Sequence, residues 1–243
     1  MDMDTTKLPW GHEWIISDDK NSRSIVNSTE TAQKWLKPLT GTLIELLKPE
    51  WRVIDIGAHH GYFSMLMSTL VKEVVSFEPS PREYRRLLAH IEHNKIENII
   101  PVNLALCKKT GIKTFHMTTN DETGCSSLHP AADLPTKEVK VMGCNPNDII
   151  TFSADFVKID AEGAELEILQ NMLTLIGRCR PIMVIEIADN RTEPWGYKSS
   201  DIIDFLRDVP GYTCLTTDWK LLDKKIHGDI IAVPDEHIKA SAL

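Results

Sequence analysis

Trp51–Ser64 reads WRVIDIGAHHGYFS, and the interpretation of this stretch decides the fold. Val53, Ile54 and Ile56 make the short apolar run of a strand buried on both faces, with Asp55 near its end. Gly57, Ala58 and Gly61 form a small-residue turn. Tyr62, Phe63, Leu66, Met67 and Leu70 then follow at helical spacing. A strand, a glycine turn and a helix in immediate succession let a ligand approach the backbone closely and aim the helix N-terminus at it.

The next unit narrows the ligand. Residues 73–79, EVVSFEP, read as a second buried strand ending in an acid, Glu78, 21 residues after Gly57. In nucleotide-binding sheets an acid about 20 residues past the glycine turn accepts hydrogen bonds from ribose hydroxyls. The turn here is G-x-x-x-G, not the G-x-G-x-x-G that holds a pyrophosphate. A ligand with a ribose and no pyrophosphate is therefore expected, and S-adenosylmethionine is one. An NAD-dependent oxidoreductase would want the pyrophosphate turn that is absent.

Working outward in both directions, the α/β rhythm continues. Residues 1–50 are expected to be a helical and irregular segment packed over the core, because Trp10, Trp14 and Trp35 are embedded in it. Two short helices are predicted there, Thr29–Lys37 and Pro38–Lys48, parted at Pro38. Ser80–Asn94 is the best-marked helix, with Ser80 as cap, Pro81 in the first turn and Glu83 completing a capping box. Asn98–Leu106 reads as a third strand. Residues 107–154 break the rhythm: Lys113–Met117 and Val139–Met142 look like short strands around a polar loop, Thr118–Thr136.

The rhythm then resumes with Phe156–Ile159, ending at Asp160. A helix carries Leu166, Leu169, Met172 and Leu173; the strand Pro181–Ile187 and the helix Ser199–Asp208 follow. Tyr212–Thr217 and Asp229–Val233, joined by a turn around Asp223–Gly228, are expected to pair antiparallel at one edge. The fold class is α/β: a doubly wound, mostly parallel seven-stranded sheet with helices on both faces, spanning 51–243 with an insertion at about 107–154.

Composition sets outer limits. The net charge of −8 argues against nucleic acid as the main partner, because phosphate binding needs a basic face. Arg82, Arg85 and Arg86 are the densest basic cluster and are expected on the solvated face of a helix. Cys107, Cys125, Cys144, Cys179 and Cys214 are odd in number with no C-x-x-C pair, and read as free thiols of a reducing compartment. No run approaches the ~18 apolar residues that cross a bilayer, so a cytoplasmic protein with no membrane partner is expected.

The chemistry should lie beyond the C-terminal strand ends. Asp55, Glu78, Asp160 and Glu186 all stand at or near such ends, and a parallel sheet would send all four to one rim. Like charges repel there, so stability does not explain them. They could ligate Mg²⁺ or Ca²⁺, but no Asp-x-Asp or Asp/His spacing makes this specific, and no metal is expected. His59 and His60 stand in the glycine turn, where one could face the ligand or act as a base.

The motifs together resemble the FkbM family of S-adenosylmethionine-dependent methyltransferases. The resemblance rests on VIDIGAHHGYFS (53–64), VVSFEPSPREYRRLLAHIEHN (74–94), IIPVNLAL (99–106), GCSSL (124–128), DFVKIDAEGAELEIL (155–169) and PIMVIEI (181–187). It implies a Rossmann-like sheet with a reversed last hairpin. It implies that Asp55, Gly57 and Gly61 border the methionine part of the cofactor, with Ala58 and His59 also among the cofactor-binding residues. Glu78 and Pro79 would stand at the ribose, and Asn103 and Ala105 near the adenine. Asp160 would face the amino-acid end or the acceptor, under a loop formed by Gly124–Leu128. His59 and Ala161 depart from the residues usual in the family, and VKVMGCNPNDII (139–150) lacks its usual Thr-Leu-Asp pattern. The expected reaction is O-methylation of a hydroxyl on a small molecule, sugar or natural product. N- or carboxylate methylation, and cofactor binding without transfer, are the alternatives. Candidate bases are Asp160, Glu162 and Glu186, then His59 and His129. The first 50 residues, outside the resemblance, are expected to carry acceptor specificity or a homodimer contact.

Overall fold

The chain starts with an antiparallel hairpin of β1 (Thr5–Lys7) and β2 (Glu13–Ile15), followed by α1 (Lys20–Asn27) and α2 (Glu30–Leu46). Residues 4–27, 30–129, 134–222 and 227–241 are described in this computed structural model, those at 30–37 and 239–241 by backbone alone. The two helices predicted on either side of Pro38 are one, since α2 runs through the proline. The lost N–H is outweighed by packing: Leu39 and Leu43, one turn apart, are buried in the core. Trp14 is buried too, stacking on His90 at 4.1 Å and donating its indole N–H to Ser22 Oγ at 3.0 Å. Trp35 lies outside the described side chains.

The main sheet begins with β3 (Arg52–Ile56), α3 (Tyr62–Ser68), β4 (Glu73–Phe77), α4 (Pro81–His93) and β5 (Ile99–Val102), whose strands pair in parallel. The chain then leaves the sheet. β6 (Ala105–Leu106), β7 (Gly111–Thr118) and β8 (Thr136–Cys144) make a separate three-stranded sheet, closed by α5 (Pro146–Ile149). The main sheet resumes with β9 (Phe156–Ile159), α6 (Glu165–Gln170), α7 (Leu173–Cys179), β10 (Ile182–Ile187), α8 (Asp189–Thr192) and α9 (Ser199–Asp208). It ends with β11 (Tyr212–Thr216), β12 (Gly228–Pro234) and α10 (Asp235–Ser241).

The strand order is β11-β12-β10-β9-β3-β4-β5, with β12 antiparallel to both its neighbours. The strands read as continuous apolar runs because both faces are covered. Alternate residues feed opposite cores: Ile54, Val75, Val157 and Ile185 face one, Val53, Val74, Phe156 and Val184 the other. From β3 the chain proceeds outward through β4 and β5, and on the other side of β3 through β9 and β10. A crevice therefore opens between the ends of β3 and β9, where such sheets bind ligands.

Four local expectations are corrected. Asn98–Leu106 is not one strand; it breaks at Asn103, whose side-chain amide donates to Glu78 O at 2.8 Å and Pro79 O at 3.2 Å, and Ala105–Leu106 joins the small sheet. The helix after Gly163 is two, interrupted at Asn171, which folds its amide back onto Glu167 O at 2.8 Å. Ser80 precedes α4 but forms no capping box; its hydroxyl donates to the Glu83 carboxylate. The arginines of α4 are not merely solvated: Arg82 donates to Thr118 O at 2.9 Å and Arg86 to Asp19 Oδ2 at 2.6 Å. Of the turn expected at Asp223–Gly228, residues 223–226 lie outside the described residues. The five cysteines are free thiols, and among the described residues no helix is long and apolar enough to cross a membrane.

Candidate functional site

One cavity of about 450 Å³ lies over the C-terminal ends of β3, β4, β9 and β10. Its first wall is the turn after β3. Gly57 has φ +79°, and a Cβ there would stand 1.7 Å from Asp160 O, so only glycine lets the turns after β3 and β9 pass each other. The Gly57 and Ala58 amides donate to Phe77 O at 2.9 and 3.0 Å. His59, in the left-handed region at φ 53°, then points its backbone N–H at Glu78 Oε2, 2.8 Å away. The Ser80 N–H donates to Glu78 Oε1, also at 2.8 Å. Glu78 is thus fixed by main chain on both oxygens, and each oxygen keeps a further acceptor site. Burial pushes its carboxyl up to about 8, against the pull of the two amides. Leu104, Ala105, Leu106 and Phe115 supply an apolar wall of the same cavity.

The opposite wall is acidic. Asp160, Glu162 and Glu186 each bring a carboxylate oxygen within 4.8 Å of the others. Glu162 sits at φ 51°, a backbone strain of the kind that accumulates at functional sites. Its carboxylate meets Arg191 Nε at 2.9 Å, and its carbonyl accepts from Ser127 Oγ at 2.8 Å. Lys158 Nζ lies 3.1 Å from Asp160 Oδ2 and 3.6 Å from Asp55 Oδ1. Burial opposes ionisation of Asp160, but Lys158 and a hydrogen bond with Glu186 outweigh it and hold the carboxyl below its usual value. Glu186 is driven well up, first by Asp160 and then by burial. Glu162 is pushed to about 8 by burial and by Asp160. These oxygens are spaced to surround a hard cation, although Lys158 and Arg191 already pair with Asp160 and Glu162.

His59, His60 and Glu83 also converge. The two imidazoles, however, are stacked at 3.8 Å and 19°, so their in-plane lone pairs run side by side and do not meet at one point. Burial lowers both histidine pKa values, that of His60 strongly, which leaves both neutral. His59 Nε2 is engaged with Thr123 Oγ1 at 3.0 Å.

The structure brings most of the residues expected at the site to one cavity and leaves others off it. Gly57, Ala58, His59, Glu78, Pro79, Ala105, Asp160, Glu162 and Glu186 line the cavity. Asp55 does not: it is fully buried beneath the floor and accepts from Ser64 Oγ at 2.6 Å. Gly61 does not either, because it turns toward Leu87, whose Cδ1 would lie 2.5 Å from an added Cβ. Asn103 is absent from the wall because its amide braces Glu78 and Pro79 from behind. His129 packs edge-on against Trp195 at 4.4 Å, off the wall. Sequence reasoning missed Lys158, Arg191 and Thr123, and missed that Asn21, Ser24 and Ile25 of α1 line the cavity. One signal was available: a lysine inside a four-residue, fully buried strand.

Among curated proteins no sequence match is found. Solved structures are similar in fold. TYW2 from M. jannaschii, in complex with AdoMet, is 16% identical at a TM-score of 0.51, over 95% of this chain and 84% of that one. The methyltransferase FkbM from Methylobacillus flagellatus KT is 16% identical at a TM-score of 0.49, over 89% of this chain. This chain spans 56% of the length of that protein. Precorrin-6y C5,15-methyltransferase from Geobacter metallireducens GS-15 is 15% identical at 0.49, over 82% of this chain and 88% of that one. The family model described as the methyltransferase FkbM domain matches residues 55–210, more than half the sequence and the whole of the cavity's strand-end turns. On that match, the chain belongs to the FkbM methyltransferase family.

Proposed function

We propose that this protein is an S-adenosylmethionine-dependent O-methyltransferase whose acceptor is a hydroxyl on a small molecule or glycan. The observation that carries the reading is the pairing of unlike walls on one cavity: Glu78 with apolar neighbours on one side, Asp160, Glu162 and Glu186 on the other. The donor set fits the cofactor. Glu78 offers acceptors for a ribose diol, Leu104, Ala105 and Phe115 an apolar face for adenine, and the acidic wall carboxyl oxygens that can accept from a ligand ammonium. When bound, S-adenosylmethionine supplies an electrophilic methyl group on a sulfonium.

The protein's own task is orientation and proton management. Glu162 is the best-placed base. It lines the cavity, and a carboxyl near 8 is matched to taking a hydroxyl proton close to neutral pH. Arg191 orients the Glu162 carboxylate. Asp160 is the carboxyl of this wall that is held ionised, by Lys158. An acidic wall disfavours a carboxylate acceptor by like-charge repulsion. The same wall favours a second reading, an amine acceptor, because three carboxyl groups converge there whose oxygens can accept from an amine N–H.

The test is release of S-adenosylhomocysteine by purified protein with matched panels of hydroxyl, amine and carboxylate acceptors. Turnover on hydroxyls supports the proposal, turnover on amines alone moves it to N-methylation, and none on any panel with cofactor bound overturns it.

A further inference from the structure

We propose that Lys158 is a positioning residue: its ammonium, clamped between Asp55 and Asp160, holds Asp160 as an aimed carboxylate on the cavity wall. The role of that carboxylate rests on the methyl-transfer reading above; its charge state does not.

Lys158 stands in the middle of the sheet. β9 is four residues long and buried throughout, and position 158 is in register with Asp55 of β3 and Val184 of β10. A buried ammonium without partners is strongly disfavoured, and an apolar residue would fill the space without that cost. The partners are what the lysine is there for. Asp160 Oδ2 lies at 3.1 Å, Asp55 Oδ1 at 3.6 Å, and the Phe63 ring centroid at 5.2 Å. Asp55 is fixed in turn by Ser64 Oγ at 2.6 Å, and Ser64 meets Ser76 Oγ of β4 at 2.8 Å. A polar chain therefore runs under the cavity floor from β4 through α3 and β3 to the end of β9.

The groups facing Lys158 and Asp160 come from every neighbouring element. They are Asp55 of β3, His59 of the turn after it, Glu162 beyond β9, Glu186 of β10 and Asp229 of β12. All but His59 are acids. Remove the ammonium, and Asp160 is left half-buried among other acids with no cation beside it, so it takes a proton more readily. Keep it, and Asp160 is the fixed anion against which Glu186 and Glu162 hold theirs.

The test is a carboxylate NMR pH titration of the full chain without ligand, with the Asp160 signal assigned by its loss in Asp160→Asn. The wild-type Asp160 midpoint is expected below the ordinary aspartate value of about 3.9. In Lys158→Met it is expected to rise by about one to three pH units, and in Lys158→Arg to return. A wild-type midpoint above the ordinary value overturns the proposal with no variant needed. So does an unmoved midpoint in folded Lys158→Met. Calorimetry with S-adenosylhomocysteine, run alongside, separates the two claims: a wild type that binds none yet keeps Asp160 low brings down the methyl-transfer reading and leaves Lys158's hold on Asp160 standing.

Discussion

Glu78 and Glu162 both follow the end of a parallel strand, both line one cavity, and both have carboxyls pushed up to about 8. They are held in opposite ways. Glu78 is gripped by two backbone amides, that of His59 in the turn after β3 and that of Ser80 just beyond Glu78 itself. Glu162 is held by a side chain from another unit, Arg191, and feels Asp160 beside it. The difference teaches what each wall is for. Main-chain donors fix a geometry whatever the side chains around them, which suits recognition of an invariant ligand. Side-chain partners and shared charge leave protonation adjustable, which suits proton transfer.

The sharpest way to break the comparison is at the point where the two walls touch. Gly57→Ala would drive a Cβ into Asp160 O, in a backbone conformation that disfavours side chains. It is expected to cost more than about 3 kcal/mol, read by urea unfolding, with loss of ligand binding. If the two walls are separable in function, Glu162→Gln should lower kcat by about 10²–10⁴-fold while leaving S-adenosylhomocysteine affinity unchanged. The wild-type rate should climb with pH, reach half its plateau at about 8 and level off above it, as Glu162 ionises, and the variant should lose that limb.

A smaller effect separates the walls by stability. Glu78 binds its proton more tightly folded (about 8) than unfolded (about 4.5), so the stability it contributes is full below pH 4.5 and is lost as pH rises through 8. Glu78→Gln should flatten that loss by a few kcal/mol, on the order of what linkage gives for a shift of this size. Chemical denaturation at pH 5 and pH 9 measures it; equal slopes in both proteins would contradict the buried state of Glu78.

The smallest effect concerns the cover. α1 is tied to the segment before Thr123 by Lys20–Glu122 at 2.7 Å and by Arg23–Asp121, all exposed pairs. Lys20→Ala with Arg23→Ala should cost under about 1 kcal/mol per pair, fading in high salt, whereas Asn21 and Ile25 substitutions should change the KM of whichever ligand α1 covers.

The same contrast explains what the sequence made legible. The sheet, its order of units and the Glu78 wall follow from local patterns: apolar runs, a glycine turn, an acid at fixed spacing. Gly57 and Glu78 need only the chain within about 20 residues of them. Asp55 lies off the cavity wall: its strand position is legible, while its side-chain direction, down to Ser64, depends on packing of α3. Gly61 lies off it likewise, its space being set by Leu87 of α4. Arg191, Thr123 and the α1 residues were invisible because nothing local marks them; only the fold brings positions 21, 123 and 191 to one cavity. Lys158 was visible as an anomaly, and its meaning needed the register that sets it beside Asp55.

The central claim is that Glu78 holds a nucleoside-type cofactor on the backbone-built wall. Isothermal titration calorimetry of S-adenosylhomocysteine against wild type and Glu78→Ala tests it most directly. The account predicts binding by the wild type and a loss of about tenfold to a hundredfold in the variant, as expected when two hydrogen bonds from a ribose diol are removed. Equal affinities in two well-folded proteins would contradict it.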